Sequence, residues 1–293
     1  MGNRHLHPLH ESMTLHHVEV PGVTLHVDDI GAGEPLLMLP GMLCDTRLFE
    51  FQARELSRHA RVIRIDWRGH GYSTRPHTPW SMARLVEDVR AVCNVLELDR
   101  VTLVGFSLGG MVGMRFALAY PQRVRAMVLM NTSGGREDTW RRIKFHALAS
   151  AAGLLGPVPW LTGEAAKAMF CGPFRRRQPR AVAAWRQALG RMDGSVVRHV
   201  VEMVADRDSV LPRLRQLDIP SLVIAAELDG NTPPAHARAI AQHLPRARLA
   251  LLRGTGHGAP IEQPVATLAT ISEFLKECAV LGDNGSQQLP LAA

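Results

Sequence analysis

A serine framed by glycines, Gly105-Phe106-Ser107-Leu108-Gly109, follows the apolar run Val101-Thr102-Leu103-Val104 and leads into a helix-like segment from Gly110. Glycines two residues to either side of a serine suit a sharp strand-to-helix turn. In such a turn the serine is held in a strained backbone conformation and neighbouring Cβ atoms would collide. The chain around it keeps the same alternation of short apolar strands and helices. Two strands between His16 and Asp29 are separated by the turn signal Pro21-Gly22, and Leu36 to Leu39 forms a third, ended by Pro40-Gly41. Asp45 offers an N-cap for a helix to about Arg58, Val62 to Ile65 is a strand, and Ser81 begins a helix to about Glu97. Ala126 to Met130 closes this half. The pattern predicts an α/β fold with a mostly parallel central sheet flanked by helices.

Between about Gly135 and Arg215 no strand signal occurs, and Ala, Leu, Arg and Met are punctuated by Gly153, Gly156-Pro157, Gly172-Pro173 and Gly190. This predicts an inserted helical cap over 135–215, with the core domain in two parts, 15–134 and 216–278. Alternation resumes with Ser221 to Ala226, a helix from Pro234 to His243, the strand Arg248 to Leu252 and a last helix from Glu262 to about Glu277. The polar, histidine-bearing leader 1–14 and the tail 279–293 are expected to be disordered and flexible.

At 293 residues and 46% hydrophobic, the chain can build one large core. No segment reads as a signal peptide or a membrane span, so the cytoplasm is the expected location and no membrane partner is expected. Cys44, Cys93, Cys171 and Cys278 are far apart, which argues against a disulfide framework or a zinc site; no metal is expected. The net charge of +7 is mostly arginine, reads as spread along the chain with one cluster at Arg175-Arg176-Arg177 and Arg180, and comes with no nucleic-acid module. A solvated basic face is expected.

The glycine-flanked serine carries chemistry only if the chain supplies a base, an acid and an oxyanion hole. Loops leaving the carboxyl ends of parallel strands share one rim of the sheet. Ser107, the loop Glu227-Leu228-Asp229-Gly230-Asn231-Thr232-Pro233-Pro234 and the loop Gly254-Thr255-Gly256-His257-Gly258 all leave from there. A serine hydroxyl needs a base with a pKa near the working pH, which imidazole has, and a carboxylate to hold the imidazole tautomer. His257 is the candidate base. Asp229 and Glu227 both stand as candidate acids, since a period-two strand end directs them to one side; the turn-rich loop after Asp229 favours it. After Met130 no carboxylate occurs before Glu137, so an acid there is discounted. Oxyanion donors are expected from the N–H of Leu108, at a helix N-terminus, and of Met42, after Pro40-Gly41. Cys44 nearby reads as a packing residue with no histidine partner.

Taken together, Leu39-Pro40-Gly41-Met42, Asp66-x-Arg68-Gly69-x-Gly71-x-Ser73, the turn at Ser107, Glu227-x-Asp229-x-x-Thr232-Pro233 and Gly256-His257 leading into Glu262-Gln263-Pro264 resemble the α/β-hydrolase fold superfamily, in its order of Ser, Asp and His. The likeness spans about residues 15 to 278 and departs from the family at Pro40, where histidine is frequent. Residues at the end of the cap (Ala184-Trp185, Met192-Asp193 and Asp206 to Ile219) are similar to the enol-lactonase and carboxylesterase branch. The resemblance implies a serine hydrolase for a small-molecule ester or lactone, working through an acyl-enzyme without a cofactor, with the cap closing over the acyl pocket. A serine nucleophile argues against the dehalogenases and epoxide hydrolases of this fold, which use aspartate. Carbon–carbon bond hydrolysis, perhydrolysis and aminopeptidase activity stay compatible, as does a ligand receptor without turnover. Phe106, Met111, Trp140, Phe145, Trp160 and Phe170 are expected to wall an apolar pocket, and the Arg175–Arg177 run is expected in solvent.

Overall fold

The computed structural model describes residues 13–281, so most of the expected leader and tail lies outside the described residues. Eight strands, β1 Met13–Val20, β2 Val23–Ile30, β3 Pro35–Leu39, β4 Arg61–Ile65, β5 Val101–Phe106, β6 Val124–Met130, β7 Ser221–Ala226 and β8 Ala247–Leu252, form one sheet in the order β1-β2-β4-β3-β5-β6-β7-β8. β1 and β2 form an antiparallel hairpin whose second strand also runs antiparallel to β4. From β3 to β8 the neighbours are parallel. β5 lies near the middle, and all six of its residues are buried, as a parallel strand covered on both faces requires. β1 begins at Met13, and Val280 and Leu281 are buried, so packed chain reaches slightly beyond 15–278 at both ends.

Helices cover the two faces separately. α2 (Met82–Val95), α3 (Leu108–Ala119) and α9 (Pro234–His243) build one core against Leu37, Ile63, Leu103 and Val223. α1 (Glu50–Leu56) and α11 (Pro264–Glu277) build the other against Leu36, Val62, Val104 and Ile224. These core residues alternate along each strand, which is the period-two rule at work. Ser81 caps α2 through its side chain. Asp45 caps a 3-10 turn over Thr46–Phe49 that only then widens into α1. The last helix, expected to run unbroken from Glu262, is two: α10 (Ala259–Glu262) and α11. Pro264 disfavours helical geometry at Gln263, whose φ of −137° and ψ of 68° separate them.

Residues 139–205 form five helices between β6 and β7: α4 Thr139–Leu155, α5 Pro159–Met169, α6 Gly172–Arg177, α7 Pro179–Leu189 and α8 Gly194–Ala205. Gly156, with φ of +71°, ends α4, and prolines start α5 and α7 where a missing N–H costs nothing. Gly153, expected as a break, stays inside α4. Ala149 and Ala152 let α4 pack closely on the valine face of α8. Among the described residues no helix is long and apolar enough to cross a membrane.

Candidate active site

β5 ends at Phe106 and α3 starts at Leu108, so the whole reversal falls on Ser107, whose φ of +51° and ψ of −113° are seldom adopted by a residue with a side chain. The surroundings enforce it. Ser107 N–H donates to Met130 O (2.9 Å), Thr132 Oγ1 donates to Ser107 O (2.7 Å), and Met111 N–H closes the first turn of α3 on the same carbonyl. The flanking glycines are steric necessities. A Cβ on Gly105 would come 2.6 Å from Gly109 O, and one on Gly109 would overlap Leu39 O. We expect Gly109→Ala to lower stability by ~1–3 kcal/mol as backbone shifts to make room, read as a lower urea midpoint at unchanged slope.

His257, in the loop after β8, reaches Ser107 Oγ with Nε2 (3.0 Å) and Asp229 Oδ2 with Nδ1 (2.8 Å). All three side chains are buried. Asp229 follows β7 and is held by four further donors: Asn131 Nδ2 (2.9 Å) and Thr232 Oγ1 (2.8 Å) on Oδ2, and the N–H groups of Asn231 (2.8 Å) and Thr232 (2.9 Å) on Oδ1. Burial alone would oppose ionisation. The imidazole and these donors outweigh it and hold the Asp229 carboxyl far below the usual carboxylate range. An ionised Asp229 accepts a hydrogen bond from the Nδ1–H group, which keeps the proton on Nδ1 and leaves the Nε2 lone pair facing the serine hydroxyl. A turn after β7, in which Asp229 N–H reaches Ala226 O, directs Glu227 elsewhere: it is exposed, and its carboxylate accepts from Gly254 N–H at 2.8 Å.

Sequence reasoning overlooked Asn131. It stands directly after β6 on the same rim and is 1% exposed, with φ of +46°. Asparagine tolerates that left-handed backbone better than most residues. Its position immediately after a strand was the available signal.

The loop Pro40-Gly41-Met42 lies against this group. A Cβ on Gly41 would come within 2.8 Å of the Phe106 ring and 3.4 Å of Ser107 Cβ. Trp67 Nε1 fixes the loop by donating to Pro40 O (2.9 Å). His70 fixes its far side: Nδ1 donates to Arg68 O (3.1 Å), so Nε2 accepts from Leu43 N–H (3.3 Å). That requires a neutral ring, and burial pushes the His70 pKa down to about 4. An unfolded histidine titrates near 6.5. The unfolded chain therefore binds the extra proton first, and His70 costs stability as pH falls from about 6.5 to about 4. Asp66, whose burial raises its pKa to about 6, acts in the opposite sense over an overlapping window. A variant at His70 retains Asp66, so the difference isolates the histidine. His70→Gln should lose less stability than wild type between pH 6.5 and 4, by up to ~3 kcal/mol. Parallel acid slopes in urea unfolding would refute this role.

A cavity of about 190 Å³ opens onto Ser107 and His257. Its walls are mostly apolar: Met42, Leu43 and Phe106 from the core, and Phe145, Leu148, Leu161, Met169, Trp185 and Val201 from the cap. Its polar members are Ser107, His257, Asn231, Thr162, and the exposed Lys144 and Glu164. Of the residues expected to wall it, Phe106 and Phe145 do, and four do not. Met111 is buried in the core beneath α3, and Phe170 packs on Phe174, Trp185 and the loop of His257. Trp140 and Trp160 are 81% and 53% exposed, because α4 and α5 turn other faces inward. Arg176 and Arg177 are in solvent, whereas Arg175, also expected there, is half-buried. Cys44 is buried, which pushes its thiol up to about 12 and leaves it protonated. No group of three or more His, Cys, Asp or Glu side chains suited to a metal ion occurs among the described residues.

The α/β-hydrolase fold family model matches residues 34–264. A 3-oxoadipate enol-lactonase of Acinetobacter baylyi is 29% identical over 217 residues, 73% of this chain and 78% of that one. A 2-hydroxy-6-oxo-2,4-heptadienoate hydrolase of Pseudomonas putida is 38% identical over 118 residues, 39% of this chain and 42% of the other. Among solved structures, a thermophilic esterase from Thermogutta terrifontis superposes with a TM-score of 0.83 at 26% identity, covering 91% of this chain and 98% of the esterase. The sheet order, the turn at Ser107 and a family match across most of the chain agree: this chain belongs to the α/β-hydrolase fold family.

Proposed function

We propose that the protein is a serine hydrolase of small carboxylic esters or lactones. The observation that carries the reading is the unbroken series Asp229–His257–Ser107, with contacts of 2.8 and 3.0 Å, at the end of an apolar cavity. Ser107 Oγ attacks the carbonyl carbon while His257 Nε2 takes its proton. Asp229 orients the ring and stabilises the imidazolium. Negative charge develops on the carbonyl oxygen, and the donors for it are the N–H of Leu108, first in α3 where helix N–H groups lack acceptors, and of Met42 in the loop beside Ser107. His257 then protonates the leaving alkoxide. A water, deprotonated by the same nitrogen, attacks the acyl-enzyme and restores Ser107.

The cavity is smaller than the roughly 300–1,000 Å³ that drug-sized ligands occupy, which favours a compact acyl group. The likeness to an enol-lactonase supports the lactone arm, where the leaving alkoxide stays tethered to the acyl chain. Carbon–carbon hydrolysis is the second reading, favoured by the P. putida relative. That alignment covers 118 residues, fewer than the 150 that separate Ser107 from His257.

The test is a panel of short-chain aryl esters, lactones and vinylogous diketones, run beside labelling with a serine-reactive phosphonate. Turnover of the first two classes and a single label on Ser107 are expected. Labelling with turnover of diketones alone transfers the assignment to the second reading. Neither labelling nor turnover of any class would leave a binding protein on a hydrolase scaffold.

A further inference from the structure

Trp140 belongs to a second apolar surface, on α4. Trp140, Ile143, Ala147 and Leu154 recur at steps of three, four and seven residues along α4, which sets them on one side of the helix. All four are exposed, Ile143 at 54% and Leu154 at 82%. The other side carries Phe145, Leu148, Ala149 and Ala152, which pack on α8 and the cavity. Leu155, the last residue of α4, and Trp160, in the first turn of α5, are also more than half exposed. Single exposed apolar residues are ordinary. A file of them along one helix needs a partner.

Charge says what kind. Residues 135–215 hold fifteen arginines and lysines against seven aspartates and glutamates, whereas the rest of the chain holds nineteen against twenty. The net charge of +7 is therefore concentrated in the cap and not spread along the chain as the sequence suggested. Lys144 stands one turn from Trp140, and Arg142 and Lys167, paired with Asp206 and Glu164, keep more than half of their side chains exposed. A second copy docking through this face would oppose one cationic cap to another, which disfavours self-association.

We propose that the outer face of α4, with Leu155 and Trp160, docks on an anionic lipid surface. The apolar side chains enter the headgroup boundary and the cap cations lie over the lipid phosphates. Tryptophan and leucine on one side of a helix with arginine and lysine around them is the composition of interfacial helices. The lack of a spanning segment bears on crossing a membrane, and surface docking needs none. Lys144 also lines the cavity, so docking brings the cavity mouth beside the lipid. The proposal requires no turnover and stands apart from the ester reading.

Full-length protein is pelleted with sucrose-loaded vesicles of phosphatidylcholine, with and without phosphatidylglycerol, in roughly 0.1 and 0.5 M salt. We expect binding to anionic vesicles at least about tenfold stronger than to neutral ones, weakened at high salt, with a blue shift of tryptophan emission. Ile143→Gln combined with Leu154→Gln, both outside the cavity, should lower the partition on the order of tenfold with an unchanged thermal melt. Should that variant melt early, the lipid and salt dependence of the wild type and its tryptophan shift decide the question. No binding, equal binding to both vesicle types, or wild-type binding by a well-folded double variant overturns the proposal. So does a dimer in sedimentation that the double variant dissolves, since the face would then belong to a second copy.

Discussion

Ser107→Ala should lower ester or lactone turnover by ~10⁵–10⁶-fold and abolish phosphonate labelling, while the thermal melt stays close to that of wild type. The hydroxyl is the only atom removed. Alanine keeps the Cβ that the turn already accommodates, and the lost contact to His257 is worth on the order of 1 kcal/mol. The backbone bonds from Ser107 to Met130 and Met111 are untouched. A further His257→Ala change should add almost nothing, because base and nucleophile act as one unit and the residual rate comes from binding and the oxyanion donors. Rates are read with one purified substrate from the panel, and the melt by circular dichroism. A Ser107→Ala protein within about tenfold of wild type would remove the serine from the reaction, since a loss that small is typical of positioning defects rather than of a missing nucleophile. Cys44 would not replace it: burial keeps that thiol protonated.

The core of the molecule was legible because its constraints are local. Strands such as β5 and β7 are short apolar runs ended by glycine or loop residues, and Ser81 before an amphipathic segment marks a helix start through a side-chain cap. Ser107, Asp229 and His257 were nameable since each occupies a loop at the carboxyl end of a strand, so topology alone brings them to one rim. Choosing Asp229 over Glu227 was not possible from spacing, because the turn after Ala226 breaks the period-two rule at the point where it was needed. The pocket was harder still. Trp140 and Phe145 share α4, and only the rotation of that helix against α8 decides that one meets solvent and the other the cavity. Aromatic content predicts burial in general, and it cannot predict which of two apolar faces a cap helix turns inward.

Asp229→Asn should lower turnover by ~10⁴-fold, and Glu227→Gln should leave it within about threefold, as surface substitutions do. The reason lies in the donors around Asp229. Five of them converge on its two oxygens, from His257, Asn131, the Thr232 hydroxyl, and the N–H groups of Asn231 and Thr232. An amide has one acceptor oxygen, and the backbone N–H pair on Oδ1 claims it. The amide nitrogen then faces His257 and donates to Nδ1, which must accept and give its proton to Nε2. The imidazole now presents N–H to Ser107, where the reaction needs a lone pair. A variant that folds but carries this tautomer should show reduced turnover at every pH at which it is folded, because the defect is the position of a proton on the ring rather than its presence. The wild-type carboxyl is held so low that Asp229 stays ionised throughout the working range, so its titration does not shape the acid limb of the rate. The exposed Glu227 carboxylate accepts from Gly254 N–H at the surface. If Glu227→Gln proved the more damaging change, the acid would have to act from the first residue after β7, with Asp229 reduced to a structural clamp between the loop after β8 and Asn131 after β6.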